Sequence, residues 1–246
     1  MSCEFILGDC LQEMDNFIKQ GRTFDAIITS PPYNMCLRVH TGKYMSRWKW
    51  KECQSSFAAK YNNYTDDLPM EEYFKFQDTF IEKALQCSDL MFYNIQMVTG
   101  NKIALLSLLG KWSNKIKEII IWDKEYGQPA MNAGCLNSQF EFIICFSNNT
   151  PYNRSFETAQ FERGTVSNVW KIKREANSEH KASFPQELVK RILEGFTKKG
   201  DKILDPFMGS GTTGLVCKYM ERDFTGIEID KNYMDIAKRK IGSILI

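Results

Sequence analysis

The sequence predicts an α/β fold, a mostly parallel sheet with helices on both faces and an antiparallel edge. Three observations predict it. Short apolar runs alternate along the chain with segments whose apolar positions recur at helical spacing, the pattern of repeated strand and helix units. A glycine-rich turn follows one of those runs and opens a helix, as a crossover connection in a parallel sheet does. The 246 residues are 43% apolar and 25% charged, which suits one large domain with a substantial core.

The elements follow in order. Phe5-Ile6-Leu7 is an apolar run ending at Gly8-Asp9; Leu11, Met14 and Ile18 then recur at helical spacing, and Phe24 to Ile28 is a second run, so the chain opens strand, helix, strand. Tyr73, Phe76, Phe80 and Ala84 predict a helix from Met70 to Ser88, followed by a strand from Leu90 to Ile95. Ile103 to Trp112 reads as helix and Ile119 to Trp122 as a buried strand, which pairs with Phe140 to Ile144 as the antiparallel edge. Pro185 lies in the first turn of a helix whose buried stripe is Leu188, Ile192 and Phe196, and Gly200-Asp201 ends it. A strand at Lys202 to Asp205, a helix at Thr212 to Met220, a strand at Phe224 to Ile229 and a helix at Lys231 to Lys240 complete the chain. Residues 35–67 and 147–181 resist this pattern; each is too long for an ordinary connection and is expected to be functional or mobile.

Composition narrows the function classes. With 32 basic and 30 acidic side chains the net charge is +2, so contact with nucleic acid has to come from a local patch. The first residues lack a signal-peptide pattern and no segment approaches a membrane span, so a soluble, intracellular protein is expected. Eight scattered cysteines without a Cys-x-x-Cys pair, and only two histidines, predict buried free thiols and no metal site.

Gly209-x-Gly211-x-x-Gly214 matches the dinucleotide fingerprint, and Glu228 stands about 20 residues further on, where an acid accepts ribose hydroxyls. Alone, this points to a nicotinamide oxidoreductase. Asp205, at the tip of the preceding strand, changes the balance: its charge repels a pyrophosphate and attracts the ammonium and sulfonium of S-adenosylmethionine. Asp205 as a turn residue and Glu228 as a solvated acid are the plain structural readings. Two acids together with the small residues Ser210, Thr212 and Thr213 describe a nucleoside site.

Thr29-Ser30-Pro31-Pro32-Tyr33-Asn34 follows a strand, on the edge where open α/β sheets bind ligands. The prolines stiffen the loop and remove two amide donors, which leaves carbonyl oxygens to accept from a ligand. Ser30 adds an acceptor and Tyr33 a ring to stack on. A flat base with an exocyclic amino group satisfies that set.

Ser30-Pro31-Pro32-Tyr33 together with Asp205-Pro206-Phe207-x-Gly209-Ser210-Gly211-Thr212-Thr213 resembles the paired signature of the amino-methylating DNA methyltransferases, in the β-group order with the catalytic motif first. Gly8-Asp9, Phe140-Glu141-Phe142 and Phe184-Pro185 resemble three looser motifs of the family. The resemblance implies a single Rossmann-like methyltransferase domain over residues 1–246, circularly permuted so that the chain begins at the usual third strand. It implies S-adenosylmethionine as cofactor, held by Asp9, Phe184, Asp205, Phe207, Gly209, Ser210, Gly211, Thr212 and Glu228, with Asp9 at the adenine amino group and Phe207 on the methionine portion. It implies catalysis by Ser30, Pro31, Pro32 and Tyr33 on a flipped base of double-stranded DNA, with Ser30 favouring cytosine N4 over adenine N6. No Pro-Cys dipeptide occurs, which argues against the cytosine C5 enzymes. A restriction endonuclease counterpart and a homodimer fit a restriction-modification role; an RNA substrate and a non-catalytic DNA-binding module stay open.

Basic residues interleave with aromatics in 35–67, where Arg38, Lys43, Arg47, Lys49 and Lys51 are candidate phosphate contacts. Arg163, Lys171, Lys173 and Arg174 make residues 147–181 the candidate target-recognition insertion.

Overall fold

The computed structural model describes residues 2–40, 43–46, 66–128, 133–149, 153–174 and 185–242. Ten strands and six α-helices are present among them: β1 (Cys3–Leu7), α1 (Cys10–Lys19), β2 (Ala26–Thr29), β3 (Leu37–His40), β4 (Lys43–Ser46), α2 (Met70–Cys87), β5 (Leu90–Ile95), α3 (Lys102–Lys111), β6 (Ile116–Gln128), β7 (Ser138–Ser147), β8 (Val169–Lys171), α4 (Gln186–Phe196), β9 (Lys202–Asp205), α5 (Thr212–Tyr219), β10 (Asp223–Glu228) and α6 (Lys231–Gly242). Eight strands form one sheet in the order β1-β10-β9-β2-β5-β7-β6-β8, and β3 pairs with β4 as a separate antiparallel hairpin. Neighbours from β1 to β5 are parallel, β7 is antiparallel to both β5 and β6, and β8 runs parallel to β6.

Alternating residues of the central strands feed two cores, as a sheet covered on both faces requires. Ala26, Ile28, Leu90, Phe92, Ile203 and Phe224 pack under α4, α5 and α6; Ile27, Met91, Tyr93, Leu204 and Ile227 pack under α1, α2 and α3. Arg222 is buried without an acidic partner among the described residues, yet its guanidinium donates to the carbonyls of Leu193, Thr197 and Met220, two of which are at the C-terminal end of α4. The Leu193 carbonyl already accepts from the Thr197 amide, so the guanidinium reinforces that bond and gives the Thr197 carbonyl, just past the helix end, a donor.

Counted from the glycine turn, β9 is a first strand, with β10 and β1 outward on one side and β2 and β5 on the other, which is the 3-2-1-4-5 order of doubly wound sheets. The chain thus begins at the third strand, as the motif order predicts. After β9 the chain crosses to the α5 face; after β2 it crosses to the α2 face. The reversal falls between these two strands, and it opens a crevice at their carboxyl ends.

Several elements differ from the sequence reading. β6 and β7 run well past the apolar stretches that predict them, because backbone pairing continues to Asp123 opposite Phe140 and, after an irregularity in which Glu125 takes φ 61°, resumes at Gln128 opposite Ser138. The antiparallel pair is not the outermost edge, since the three-residue β8 lies beyond it, tied in by buried Trp170. Within 35–67, β3 and β4 pair as an antiparallel hairpin. Within 147–181 the rings of Phe156 and Phe161 lie 4.8 and 5.4 Å from that of Phe196, which anchors that part of the insertion to α4.

Candidate active site

The crevice between β9 and β2 contains a cavity lined by Ser30 and Pro32 from one loop, Phe207 and Gly209 from the other, and Asp9 and Glu228 from neighbouring strand ends. Two segments about 175 residues apart in sequence therefore share one pocket because the strands that carry them are adjacent.

Glu228, almost fully buried, accepts from the Gly209 amide at 2.8 Å and from the Asp230 amide at 2.9 Å, one bond per oxygen. Burial raises its carboxyl above the usual range, and those amides oppose the shift. Each oxygen keeps a second lone pair for a ligand hydroxyl. Asp9 caps α1, one carboxylate oxygen accepting from the amides of Leu11 and Gln12 at 3.0 Å. Phe207 packs its ring 4.9 Å from Phe80 and 6.1 Å from Phe76.

Asp205 is placed differently from its expected role. It is 2% exposed and does not line the cavity; its oxygens accept from Thr29 Oγ1 at 2.8 Å, Thr213 Oγ1 at 2.6 Å and the Phe207 amide at 3.1 Å. The side chain ties β2, β9 and α5 together beneath the loop. Burial pushes its carboxyl up to about 6, against the pull of these three donors.

The glycine turn is also occupied from within. Gly209 donates to Glu228 and the Gly211 amide to the Met208 carbonyl at 2.9 Å, while Gly211 takes φ 79° at the cap of α5, a conformation that favours glycine. With those amides engaged and two carboxyls close by, the turn does not suit a pyrophosphate. Ser210 Oγ is buried without a hydrogen-bond partner among the described residues. An orphaned hydroxyl, an acid beside apolar Phe76 and Phe207, and a capped aspartate fit a nucleoside with an uncharged or cationic tail. Thr212 is buried and its Oγ1 lies 3.4 Å from Lys240 Nζ.

The proline loop is held on every side. Tyr73 Oη and Gln77 Nε2, both from α2, donate to the Pro32 carbonyl at 2.8 and 3.2 Å, so that carbonyl is not free for a ligand as the prolines alone suggest. Asn101 Nδ2 donates to the Tyr33 carbonyl at 2.9 Å, and Asn34, at φ 58°, donates to the carbonyls of Leu68 and Gly100. Ser30 Oγ and Tyr33 Oη are 2.9 Å apart, and Tyr33 Oη donates to Glu141 Oε2 at 3.0 Å. Asn94 Nδ2 donates to both Tyr33 Oη and Glu141 Oε2; Lys124 Nζ and an Arg174 amino group reach Glu141 Oε1 at 3.3 and 3.0 Å. Burial and the Glu141 charge hold the Tyr33 phenol well above its ordinary value. Burial lowers the Lys124 ammonium, which Glu141 partly offsets.

Sequence reasoning missed Asn94, Lys124 and the role of Glu141. The available signal was an acid between Phe140 and Phe142 on an otherwise apolar strand, which is costly unless paired. Of the candidate DNA contacts, β8 runs parallel to β6, so Lys171, Lys173 and Arg174 emerge at the same carboxyl edge as the cavity. Lys43 and Arg163 are exposed, and Arg38 lies in β3. Arg47, Lys49, Lys51 and Phe184 lie outside the described residues.

The sequence model of the family described as DNA methylase, for N6 and N4 enzymes, matches residues 24–239. The Type II methyltransferase M.Cfr9I of Citrobacter freundii is 32% identical over 132 residues, 51% of this chain and 44% of that protein, and M2.DpnII of Streptococcus pneumoniae is 33% identical over 138 residues, 52% and 51%. The chain spans about half the length of these relatives. Among solved structures, the PvuII DNA methyltransferase (cytosine-N4-specific) superposes with a TM-score of 0.70 at 16% identity over 100% of this chain and 89% of its own, a likeness of fold. With the family matched over most of its length and the same fold, the chain belongs to the N6/N4 DNA methylase family.

Proposed function

We propose that this protein transfers a methyl group from S-adenosylmethionine to the exocyclic amino nitrogen of a DNA base, with N4 of cytosine the favoured target. The observation that carries the reading is the single cavity in which Ser30 faces Phe207, Gly209 and Glu228. Glu228 would take the cofactor's ribose hydroxyls, Asp9 its adenine amino group and Phe207 its aliphatic portion. S-adenosylmethionine supplies an electrophilic methyl group.

The chain's own residues prepare the nucleophile. An amino group conjugated to a base ring is weak because its lone pair is delocalised. Ser30 Oγ and the Pro31 carbonyl accept its two hydrogens and favour a pyramidal nitrogen, which returns the lone pair to it. Orientation and hydrogen bonding to developing charge then lower the barrier without a strong base. In duplex DNA the base must leave the stack to enter this crevice, and the Tyr33 ring is the surface against which it rests. A restriction endonuclease of the same specificity and a homodimer belong to the same proposal.

Ser30 in place of an aspartate is what favours cytosine; adenine N6 is the second reading on the same geometry. Incubation with S-adenosylmethionine and genomic DNA from a strain lacking its own methyltransferases, followed by digestion and nucleoside analysis, is expected to yield N4-methylcytosine. N6-methyladenine would select the second reading, and no methylated base would remove both. Ser30→Ala should slow transfer by about 10²-fold or more with cofactor affinity unchanged; a wild-type rate would dismiss this loop as the site.

A further inference from the structure

We propose that Glu141 is a positioning residue of the methyl-transfer site, which through Tyr33 fixes the Ser30 hydroxyl as an acceptor and receives the proton that leaves the amino group. The proposal rests on the methyl-transfer reading above and assigns it a residue outside both signature loops.

Hydrogen counting decides the direction of the chain. A phenol has one hydrogen and two lone pairs. The Glu141 carboxylate, with Lys124 and Arg174 on its other oxygen, can only accept, so the Tyr33 hydrogen goes to Oε2 at 3.0 Å. Asn94 Nδ2 can only donate, and at 2.6 Å it fills one phenol lone pair. Exchanging the Asn94 amide atoms would set its oxygen against the carboxylate, so that orientation is fixed as well. The last lone pair takes the Ser30 hydrogen at 2.9 Å. Ser30 Oγ is then left with lone pairs alone to offer the cavity it lines, as acceptance from an amino group demands. Without the carboxylate, Tyr33 is free to donate to Ser30 instead, and the serine turns its own hydrogen toward the substrate.

The same chain conducts a proton. Methylation leaves the nitrogen cationic with one proton in excess. That proton passes to Ser30 Oγ as the serine's own passes to Tyr33 Oη and the tyrosine's own to Glu141. Each hydroxyl breaks one O–H bond and forms one; the cationic nitrogen and the carboxylate both end neutral. Among the described residues, the charged and titratable groups that meet Glu141 are Tyr33 from the loop, Lys124 from β6 and Arg174 beyond β8, with neutral Asn94 from β5. A buried carboxylate held by two cations is expensive to build for packing alone, since an apolar replacement is often as stable.

Glu141→Gln and Tyr33→Phe are each expected to lower the single-turnover rate on unmethylated genomic DNA about 10²-fold, with calorimetric affinities for S-adenosylmethionine and DNA unchanged. The double variant should lose no more than either single one, as members of one unit do. In the free chain, without cofactor or DNA, a slowly exchanging downfield hydroxyl-proton resonance should vanish in Tyr33→Phe and move upfield in Glu141→Gln. Wild-type rates in either variant, additive losses, or a matching loss of binding would overturn the proposal and leave methyl transfer standing. Failure of the unmodified protein to methylate DNA removes the reaction instead, and the proton step with it. If Glu141→Gln does not fold, Tyr33→Phe and its resonance decide the matter.

Discussion

Asp205 illustrates how a side chain beside a ligand site can act through its surroundings. Three donors hold its carboxyl under the glycine turn, and burial lifts it from 3.8 to about 6. In the unfolded chain the group titrates at its ordinary value, so between roughly pH 4 and 6 the folded state binds more protons than the unfolded one. Stability from this group is therefore greatest below that window and declines as pH rises through it, by an amount of order 3 kcal/mol. Asp205→Asn removes the charge and keeps the shape. Urea unfolding of both proteins across the window should show the variant gaining on the wild type as pH rises; a constant gap would mean that Asp205 is already ionised at pH 4. From the sequence, Asp205 was identifiable as the acid that precedes the glycine turn. Its three donors were not, because Thr29 comes from a strand 176 positions away.

At the scale of elements, the turn between β5 and α3 holds the proline loop in place. Gly100 accepts from Asn34, and a Cβ added to Gly100 would lie 2.0 Å from the Asn34 carbonyl oxygen and 2.9 Å from that of Leu37. Both obstacles are backbone, so Gly100→Ala must move the Ser30–Asn34 loop. It should cost about 1–3 kcal/mol in chemical unfolding and reduce methyl transfer beyond what that loss explains. Gly110→Ala in α3 is the control: nothing lies within 4 Å of its Cβ, and it should stabilise by up to about 1 kcal/mol without affecting transfer. Equal behaviour of the two variants would mean that the turn does not shape the loop. Elements with a strong internal period, such as α4 with Leu188, Ile192 and Phe196, were legible beforehand. β8 was not, because three residues carry no period and Trp170 is buried only by virtue of its neighbours.

For the molecule as a whole, a net charge of +2 gives little long-range attraction for DNA, so the proposed DNA contact has to be local. The parallel run of β8 beside β6 brings exposed Lys171 and Lys173 to the carboxyl edge that also holds the cavity. Replacing both with alanine should reduce the slope of log affinity against log salt by roughly one to two, with a similar effect on all DNA sequences. An unchanged slope would take both lysines out of the interface. The sequence by itself determined the α/β class, nearly every helix and central strand, and the two loops, because local periodicity, prolines and glycines act within a few residues. Only the tertiary structure decided that those loops share one crevice, that Asp205 is buried beneath it, and that Glu141 joins Ser30 through Tyr33. Strand adjacency and burial arise from contacts between residues far apart in the chain, and no local pattern encodes which partner a buried charge will find.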